Sequence, residues 1–397
     1  MTVRITKPEF NLREKLSELD KPIGAHGSQL LKSKSTSETF DLVRAGRRNL
    51  IINGDMRIWQ RSGGDAVTHS GSLQFGPDRW MFEEGCSQLV AVLTRSTDTP
   101  SGQGFKYSFQ LSPSTAESAL DNSDFAQYMY FIEGYDFAPA QWGTADAKPC
   151  TFSFWFKTSM GGQHYVTFNS ASGADVWSTS ITSIANAWEH HVITIPPPTT
   201  GTWNTTDGRG LEIRIGLMKS ANVTVADSEQ WYYGGSSYNG FADAHSDWAF
   251  STSNNAYLTG VQFEIGNQAT PFEHRSAEEE LALCQRYFQV MARGYISPAR
   301  GNSATSYLWT YETPVPMRAL PTATAATWSS ASFSSRRFRD ATGVSDSTST
   351  PSPQSAYFYP ESGTSYVHFA QGGYTGGDDR SAVIMIQQGA ILLSAEI

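Results

Sequence analysis

The sequence has few cysteines and no excess of basic residues. Its three cysteines, Cys86, Cys150 and Cys284, form no CxxC spacing. An odd number without metal-binding spacing predicts neither a disulfide framework nor a zinc site, so we expect folding in a reducing cytoplasm. The net charge is −9. Because nucleic-acid-binding surfaces are basic, we expect no nucleic-acid partner.

Long apolar runs and catalytic motifs are also missing. No segment approaches the ~18 consecutive apolar residues of a membrane-spanning helix, so we expect no membrane insertion. The N-terminal residues 1–8 lack the apolar stretch of a signal peptide. No GxSxG, P-loop, HExxH or EF-hand pattern occurs. We therefore expect a protein that is not an enzyme.

Alternating apolar residues are the main feature that is present. A period of two with one apolar face is typical of an antiparallel sheet that covers a core on one side. Glu212 and Arg214 stand between apolar residues and are predicted to face outward. The two clearest apolar series are Phe152, Phe154 and Phe156, and Leu211, Ile213, Ile215 and Leu217.

Two segments about 200 residues apart are predicted to close one module. Asn49–Arg61 and Leu258–Gly266 both have the pattern of strands, and polar, turn-rich sequence separates them. We interpret them as the first and last strands of a jelly-roll β-sandwich. The predicted fold is mainly β, and its parts are an N-terminal helical anchoring arm (1–48), the jelly roll (49–275), a short helical linker (276–292) and a smaller C-terminal β-sandwich (293–397).

The arm differs from the rest of the chain. Leu12, Leu16 and Leu19 recur at helical spacing beside Phe10, and they form one apolar stripe on a short helix. Such a helix is not stable alone, so we expect it to dock on a larger assembly or on its symmetry mates. The alternative is a flexible tail that binds nothing.

The linker and the C-terminal region carry two further signals. Ser276 and Glu279 match a capping box at the start of a helix. The last segment, Gly389–Ile397, is apolar and must be paired or buried. The leucine stripe of the arm and this segment both need partners, which leads us to expect a homotrimer.

Six further motifs are informative together, namely Asn49–Arg61, Phe75–Trp80, Leu258–Gly266, Thr270–Arg275, Glu280–Phe288 and Pro314–Pro321. They resemble a family of bacteriophage virion proteins, which are tail-fibre or particle-surface proteins with a jelly roll like that of carbohydrate-binding modules. The arm, residues 5–22, is similar to the attachment arms of tail-fibre proteins from phages of marine cyanobacteria. The resemblance implies a structural, trimeric fibre protein.

The resemblance also implies a metal site. Jelly rolls of this kind sometimes hold a structural calcium near their first and last strands, where Asp55 and Glu264 are the available oxygen ligands. The alternative role of Asp55 is to cap a turn after Gly54. We expect no other cofactor.

Aromatic residues in a predicted long loop, 227–241, suit a glycan, because flat apolar faces stand beside hydroxyl and amide groups. The alternative is that Trp231 and Trp248 fix the loop to the core. The candidate sugar-binding residues are Trp231, Tyr232, Tyr233 and Tyr238.

Other candidate sites are weaker. His190 and His191 are adjacent, so in a strand they point to opposite faces and do not easily share a metal with each other or with His164. Glu83 and Glu84 also diverge, whereas the paired carboxylates of a glycosidase flank one bond.

The predicted function is that of a structural virion protein, a tail fibre or fibre-like protein on the virion surface, assembled in the host cytoplasm. It is attached to other virion proteins through its arm and contacts host-surface polysaccharide. The alternatives are a capsid decoration or head-fibre protein without a receptor role, and a polysaccharide depolymerase.

Overall fold

A computed structural model describes residues 47–69, 73–172, 175–220, 229–233, 247–291, 296–303, 306–326, 334–339, 343–347, 352–359, 364–371, 382–388 and 390–396. The chain divides into two compact units, residues 1–48 and residues 49–397. The predicted helical arm, with Phe10, Leu12, Leu16 and Leu19, lies outside the described residues and stays a prediction.

The fold is mainly β, as predicted. A four-residue helix, α1 (Gly134–Phe137), and two short 3-10 helices (Ala138–Ala140 and Trp248–Phe250) interrupt the strands of the jelly roll. Its strands are β1 (Val67–Thr68), β2 (Leu73–Phe75), β3 (Trp80–Glu84), β4 (Val90–Ser96), β5 (Ser108–Thr115), β6 (Phe125–Glu133), β7 (Cys150–Thr158), β8 (Gly162–Asn169), β9 (Val176–Ser183), β10 (Glu189–Ile195), β11 (Arg209–Lys219), β12 (Trp231–Tyr232) and β13 (Ala256–Ile265).

These strands form two antiparallel sheets that pack face to face. The six-stranded sheet has the order β1-β4-β5-β13-β7-β10, and the seven-stranded sheet has the order β12-β9-β8-β11-β6-β3-β2. Phe152 of β7 and Phe168 of β8 meet across the core, with 5.4 Å between their ring centroids. The sheets are therefore the two layers of a sandwich, and β10 and β12 are edge strands.

The predicted alternation is found in the core. Phe152, Phe154 and Phe156 are fully buried, as are the four aliphatic residues of β11. The expectation that Glu212 faces solvent is wrong, because its side chain is only 6% exposed. Asn169 donates to its carboxylate at 3.2 Å, and Arg214 pairs with it, so hydrogen bonds and an ion pair offset its burial.

The segment 49–61 contains no strand, which corrects the sequence prediction. Asn53 and Met56 have φ values of 59° and 60°, and this left-handed conformation interrupts an extended chain. The segment still lies along β13. The backbone N–H of Leu50 donates to Phe263 O at 2.9 Å, and the N–H of Val261 donates to Gly54 O at 2.9 Å.

Arg275 fixes the position of the segment 49–61. Its buried guanidinium donates to the backbone carbonyls of Asn49 and Ile51, and it lies 3.5 Å from the Glu280 carboxylate. Burial raises the pKa of Glu280 even though Arg275 opposes the shift. The motif at residues 270–275 thus joins the beginning of the module to its end.

Helix α2 (Ala277–Gln285) follows Ser276, whose hydroxyl accepts a hydrogen bond from the N–H of Glu279 at 3.1 Å. This is the predicted helix start. Cys284 and Tyr287 are buried against Ile52. Beyond the helix, the strands are β14 (Phe288–Met291), β15 (Ile296–Ser303), β16 (Ser306–Thr313), β17 (Thr322–Ala326), β18 (Ser334–Arg339), β19 (Gly343–Ser347), β20 (Ser352–Tyr359), β21 (Thr364–Gln371), β22 (Ala382–Gln388) and β23 (Ala390–Ser394).

The C-terminal strands form a seven-stranded sheet, β19-β18-β22-β15-β16-β21-β20, and a three-stranded sheet, β14-β23-β17. The apolar strand β23 is the central strand of the smaller sheet and pairs with β14 and β17 of its own chain. Since its pairing is complete within one chain, this strand does not argue for a trimer. Across the part of the chain that the structure describes, no helix is both long and apolar enough to cross a bilayer.

A buried ion pair holds the chain end against the jelly roll. Arg79 is 1% exposed, pairs with the Glu396 carboxylate, and lies 3.6 Å from the ring centroid of Tyr287. Arg61 reaches the same carboxylate at 2.8 Å. Burial alone would raise the pKa of Glu396, but Arg79 and Arg61 hold it below its ordinary value.

We expect Glu396→Ala to lower the free energy of unfolding by about 3–5 kcal/mol, because it leaves Arg79 buried without its counter-charge. Urea unfolding followed by tryptophan fluorescence measures this. Replacing both partners, Arg79→Met with Glu396→Leu, should recover much of the loss. The control is Glu312→Ala on an exposed side chain, with an expected change within about 0.5 kcal/mol. A Glu396→Ala protein as stable as the wild type would contradict this account.

Candidate functional site

The predicted sugar-binding aromatic residues lie at the edge of the sandwich. Trp231 and Tyr232 form strand β12, in which Trp231 pairs with Trp177 of β9. The Trp231 indole N–H donates to Pro196 O at 2.8 Å. Its ring contacts the rings of Trp142 and Trp203, with centroids 5.2 and 5.5 Å away. Trp231 is therefore held rigidly by a cluster of tryptophans.

Tyr233 extends this cluster into solvent. Its side chain is 44% exposed, and its ring stacks on Trp231 with an interplanar angle of 23° and 6.4 Å between centroids. Tyr232 is half-buried, and Tyr238 lies outside the described residues. Trp248, named as an anchor of the same segment, is completely buried. The structure thus brings Trp231 and Tyr233 together.

A pocket of about 370 Å³ lies in the same region of the sandwich edge, and we name it the edge pocket; the Trp231 and Tyr233 rings are not part of its lining. It lies between edge strand β10 and strand β9. Pro196, which accepts the hydrogen bond from Trp231, is part of its wall. The other residues that line it are Trp177, Thr179, Ser180, Ile181, Val192, Ile193, Thr194 and Glu229.

Glu229 is the acidic residue among the residues that line the edge pocket. Its φ is 65°, which is uncommon for a residue other than glycine. The conformation is held from two sides, because its N–H donates to Ser178 O at 2.7 Å and its carboxylate accepts from the Thr179 hydroxyl at 3.1 Å. A carboxylate, hydroxyl groups and a stacked aromatic ring can bind a polyhydroxylated ligand.

Only part of this pocket could be found from the sequence. Glu229 stands two residues before Trp231, inside the predicted long loop 227–241. Thr179 and Thr194 lie in different strands that meet only when the sheets pack, so no local pattern brings them together.

The two predicted calcium ligands have separate protein partners. Asp55 pairs with Arg57. Glu264 accepts hydrogen bonds from Gln262 Nε2 at 2.8 Å and from the N–H of Thr270 at 3.0 Å. Each carboxylate therefore has donors of the chain itself, whereas Asp55 Oδ1 is buried without a hydrogen-bond partner, and the calcium site stays a prediction.

The histidines lie as the alternation predicts. His190 packs against Trp155 and His191 against Phe154, with ring centroids 5.1 and 5.5 Å apart, on opposite faces of the sheet. Burial lowers the pKa of both imidazoles. His164 is buried against Phe156, 5.0 Å between centroids.

A cluster that the sequence did not suggest lies at one end of the sandwich. The ligand atoms of Cys86, Glu117 and Asp124 lie within 4.8 Å of one another. The Glu117 carboxylate is already occupied, because it accepts from the N–H groups of Gln88 at 2.8 Å and Ser118 at 3.0 Å. Burial raises the pKa of the Cys86 thiol. A protonated thiol and a carboxylate in use make a poor metal site.

Glu84 is a buried carboxylate next to this cluster. Burial raises its pKa from 4.5 to about 7, although the N–H of Cys86 donates to it and opposes the shift. His69 lies 3.5 Å from the other oxygen. Glu83, the preceding residue, accepts instead from Gln127 at 2.6 Å. The two glutamates therefore serve separate networks.

Comparisons with known proteins give weak similarities. No protein-family model matches the chain, and no curated protein matches it. The enzymatically active domain of tailspike protein 4 from bacteriophage CBA120 is 12% identical, with a TM-score of 0.29, over 55% of this chain and 21% of that chain. The chain thus spans about a fifth of that tailspike protein.

Two carbohydrate-binding modules are similar to the same extent. A family 61 module in complex with β-1,4-galactotriose is 12% identical over 55% of this chain and 99% of that chain, with a TM-score of 0.26. A family 11 module from Clostridium thermocellum in complex with a mixed-linked tetrasaccharide is 12% identical over 50% of this chain and 97% of that chain, with a TM-score of 0.25. At these TM-scores the similarities carry no conclusion about function.

Glu84 gives a prediction of pH dependence. Its pKa is higher in the folded than in the unfolded chain, so the folded protein binds more protons between about pH 4.5 and 7, and stability falls as pH rises through this range. We expect Glu84→Gln to flatten the fall and to stabilise the protein by about 1–3 kcal/mol at pH 8.

Urea unfolding at several pH values measures this effect. The matched control is Asp65→Asn on an exposed carboxylate, which should leave the wild-type pH dependence unchanged. A Glu84→Gln protein whose stability falls with pH as steeply as that of the wild type would show that Glu84 is not the cause.

Proposed function

We propose that the chain is a structural, non-catalytic protein of a phage virion surface, attached through residues 1–48 and contacting host-surface glycans through the edge of its jelly roll. The sequence motifs at 5–22, 49–61 and 258–266 support the virion role. The observation that carries the glycan role is the exposed ring of Tyr233, which stacks on Trp231, a residue that donates a hydrogen bond to Pro196 in the wall of the edge pocket.

The geometry favours a sugar for physical reasons. A sugar ring has an apolar face of C–H groups that packs on an aromatic ring, and a rim of hydroxyl groups that needs hydrogen-bond partners. Tyr233 offers the aromatic ring, and Glu229 and the Thr179 hydroxyl offer the hydrogen-bond partners. Because Trp142 and Trp203 already hold Trp231 in place, little conformational freedom is lost on binding.

The non-catalytic part of the proposal rests on the carboxylates. Hydrolysis of a glycosidic bond commonly needs two of them on either side of the bond. Among the described residues that line the edge pocket, Glu229 is the one carboxylate. A depolymerase would therefore need a second acidic group from elsewhere.

The proposal also includes other virion proteins and a homotrimer as partners. The leucine stripe of the arm, Leu12, Leu16 and Leu19, supports both. Light scattering on the full-length protein tests the trimer, and a monodisperse monomer would remove it.

Tyr233→Ala should weaken binding to host-surface polysaccharide about tenfold, the effect of losing an aromatic stacking interaction. Titration calorimetry of the full-length protein with purified polysaccharide measures it. Tyr135→Ala, which removes an aromatic side chain that is 60% exposed on another part of the jelly roll, is the control and should bind normally.

Other outcomes of this titration favour the alternatives. If neither the wild type nor the variants bind polysaccharide, the role as a capsid decoration protein replaces the receptor role. If new reducing ends appear during the titration, the protein is a depolymerase and the non-catalytic proposal fails.

Removing residues 1–48 should abolish incorporation into virions, because the proposed anchor is lost while the second compact unit, residues 49–397, is kept whole. Immunoblotting of purified particles made with the shortened protein measures incorporation. A second variant, which replaces Leu12, Leu16 and Leu19 by serine in the full-length chain, should also fail to be incorporated. Normal incorporation of either protein would contradict an anchor built on the leucine stripe.

A further inference from the structure

A second pocket, of about 290 Å³, lies on the solvent face of the six-stranded sheet, and we name it the face pocket. Strands β7, β10 and β13 form its floor, and the segments around residues 102–105 and 270–274 form its walls. The residues that line it are Gly102, Gln103, Phe105, Ser153, Trp155, His190, Gly260, Thr270, Pro271, Phe272 and His274.

A local irregularity in β13 makes room for this pocket. The pairing of β13 with β7 shifts register between Thr259 and Gln262, which is the mark of a β-bulge. Gly260 lies in the bulge with φ +61°. A Cβ at this position would lie 2.5 Å from the Phe105 ring and 2.9 Å from the Trp155 ring. The hollow between these rings therefore depends on a glycine.

Aromatic rings surround the hollow. Trp155 is half-buried and lies against the exposed His190, with 5.1 Å between ring centroids. On the other wall, Phe105, Phe272 and His274 contact one another at 4.9 to 5.3 Å. Aromatic side chains half open to solvent, with Ser153 and Gln103 beside them, are typical of a binding site and unusual for a bare sheet face.

Among the residues that line the face pocket, none is Asp, Glu, Lys or Arg. Burial lowers the pKa of the His190 imidazole. On the same face of β7, Lys157 pairs with Asp98 at 2.6 Å, and Asp98 also accepts from the Trp188 indole at 2.9 Å. With a net charge of −9, the whole protein also repels anionic ligands at a distance.

We infer that the face pocket is a second glycan-binding site, and that it takes an uncharged pyranose ring stacked on Trp155, with His190, Gln103 and Ser153 as hydrogen-bond partners. We extend the proposed function here to a second place on the jelly roll, and we rely on it only for the class of ligand. An acidic sugar finds no Lys or Arg side chain among the residues that line this pocket, so uronic acids and sialic acids are disfavoured.

The experiment separates the two pockets by working in a Tyr233→Ala background, in which the edge pocket is impaired. Full-length Tyr233→Ala protein is titrated with neutral oligosaccharides and with oligosaccharides that contain uronic acid, each at low and high salt. We expect it to bind neutral oligosaccharides with an affinity that salt does not change, since no ion pair is involved.

Adding Trp155→Ala should then weaken this residual binding about tenfold. Because removal of a tryptophan can disturb the sheet, His190→Ala on an exposed side chain is the second variant, with an expected loss of about two- to fivefold for one hydrogen bond and one ring contact. Tyr135→Ala in the same background is the control and should change nothing. Circular dichroism confirms that each variant is folded.

Each result decides between the two pockets. If Tyr233→Ala alone abolishes all glycan binding, or if Trp155→Ala and His190→Ala leave the residual binding intact, the face pocket is not a site and the proposed function stands. If the face-pocket variants abolish binding while Tyr233→Ala does not, the face pocket is the glycan-binding site and the edge pocket is not. Preference for uronic acids overturns the class of ligand, and absence of all glycan binding in the wild type overturns both proposals.

Discussion

The buried contact between Arg79 and Glu396 is the constraint on which the arrangement of the second compact unit depends. Arg79 donates to Phe131 O at 2.6 Å, stacks on Tyr287 and pairs with Glu396, so one side chain joins β6, the end of α2 and the C-terminus. A buried charge is tolerated only when it is paired and hydrogen-bonded, and the geometry of these partners is therefore fixed. The jelly roll and the sheet β14-β23-β17 are held together as a result.

Strand β10 connects this rigid framework to the two candidate sites. Val192 and Thr194 line the edge pocket, and His190 lines the face pocket, so both pockets share one edge strand. Residues two apart in a strand lie on one face, so His190, Val192 and Thr194 share the exposed face of β10, and the two pockets lie at different points along it. Binding groups placed on a strand lose little conformational freedom when a ligand arrives.

Local sequence patterns predicted most helices and strands, whereas the two pockets are formed by residues that come together only through long-range packing. The series Phe152, Phe154 and Phe156 and the cap at Ser276 were predictable because strand alternation and helix capping are local. The strand expected at 49–61 was wrong because positive φ at Asn53 interrupts it, and no residue pattern announces that turn. Trp155, between Ser153 and Lys157 on the polar side of β7, was the overlooked signal of the face pocket. The bulge at Gly260 that opens this pocket is visible only in the paired sheet.

The central claim is that rigid aromatic rings on one edge and one face of the jelly roll bind glycans. Hydroxyl-radical footprinting of the full-length wild-type protein, with and without host-surface polysaccharide, tests it most directly, because it reports the solvent access of individual aromatic side chains. The account predicts that the polysaccharide protects Tyr233 and Trp155 and leaves Tyr135 unchanged. Equal oxidation of Tyr233 and Trp155 with and without polysaccharide, or protection confined to other residues, would contradict it.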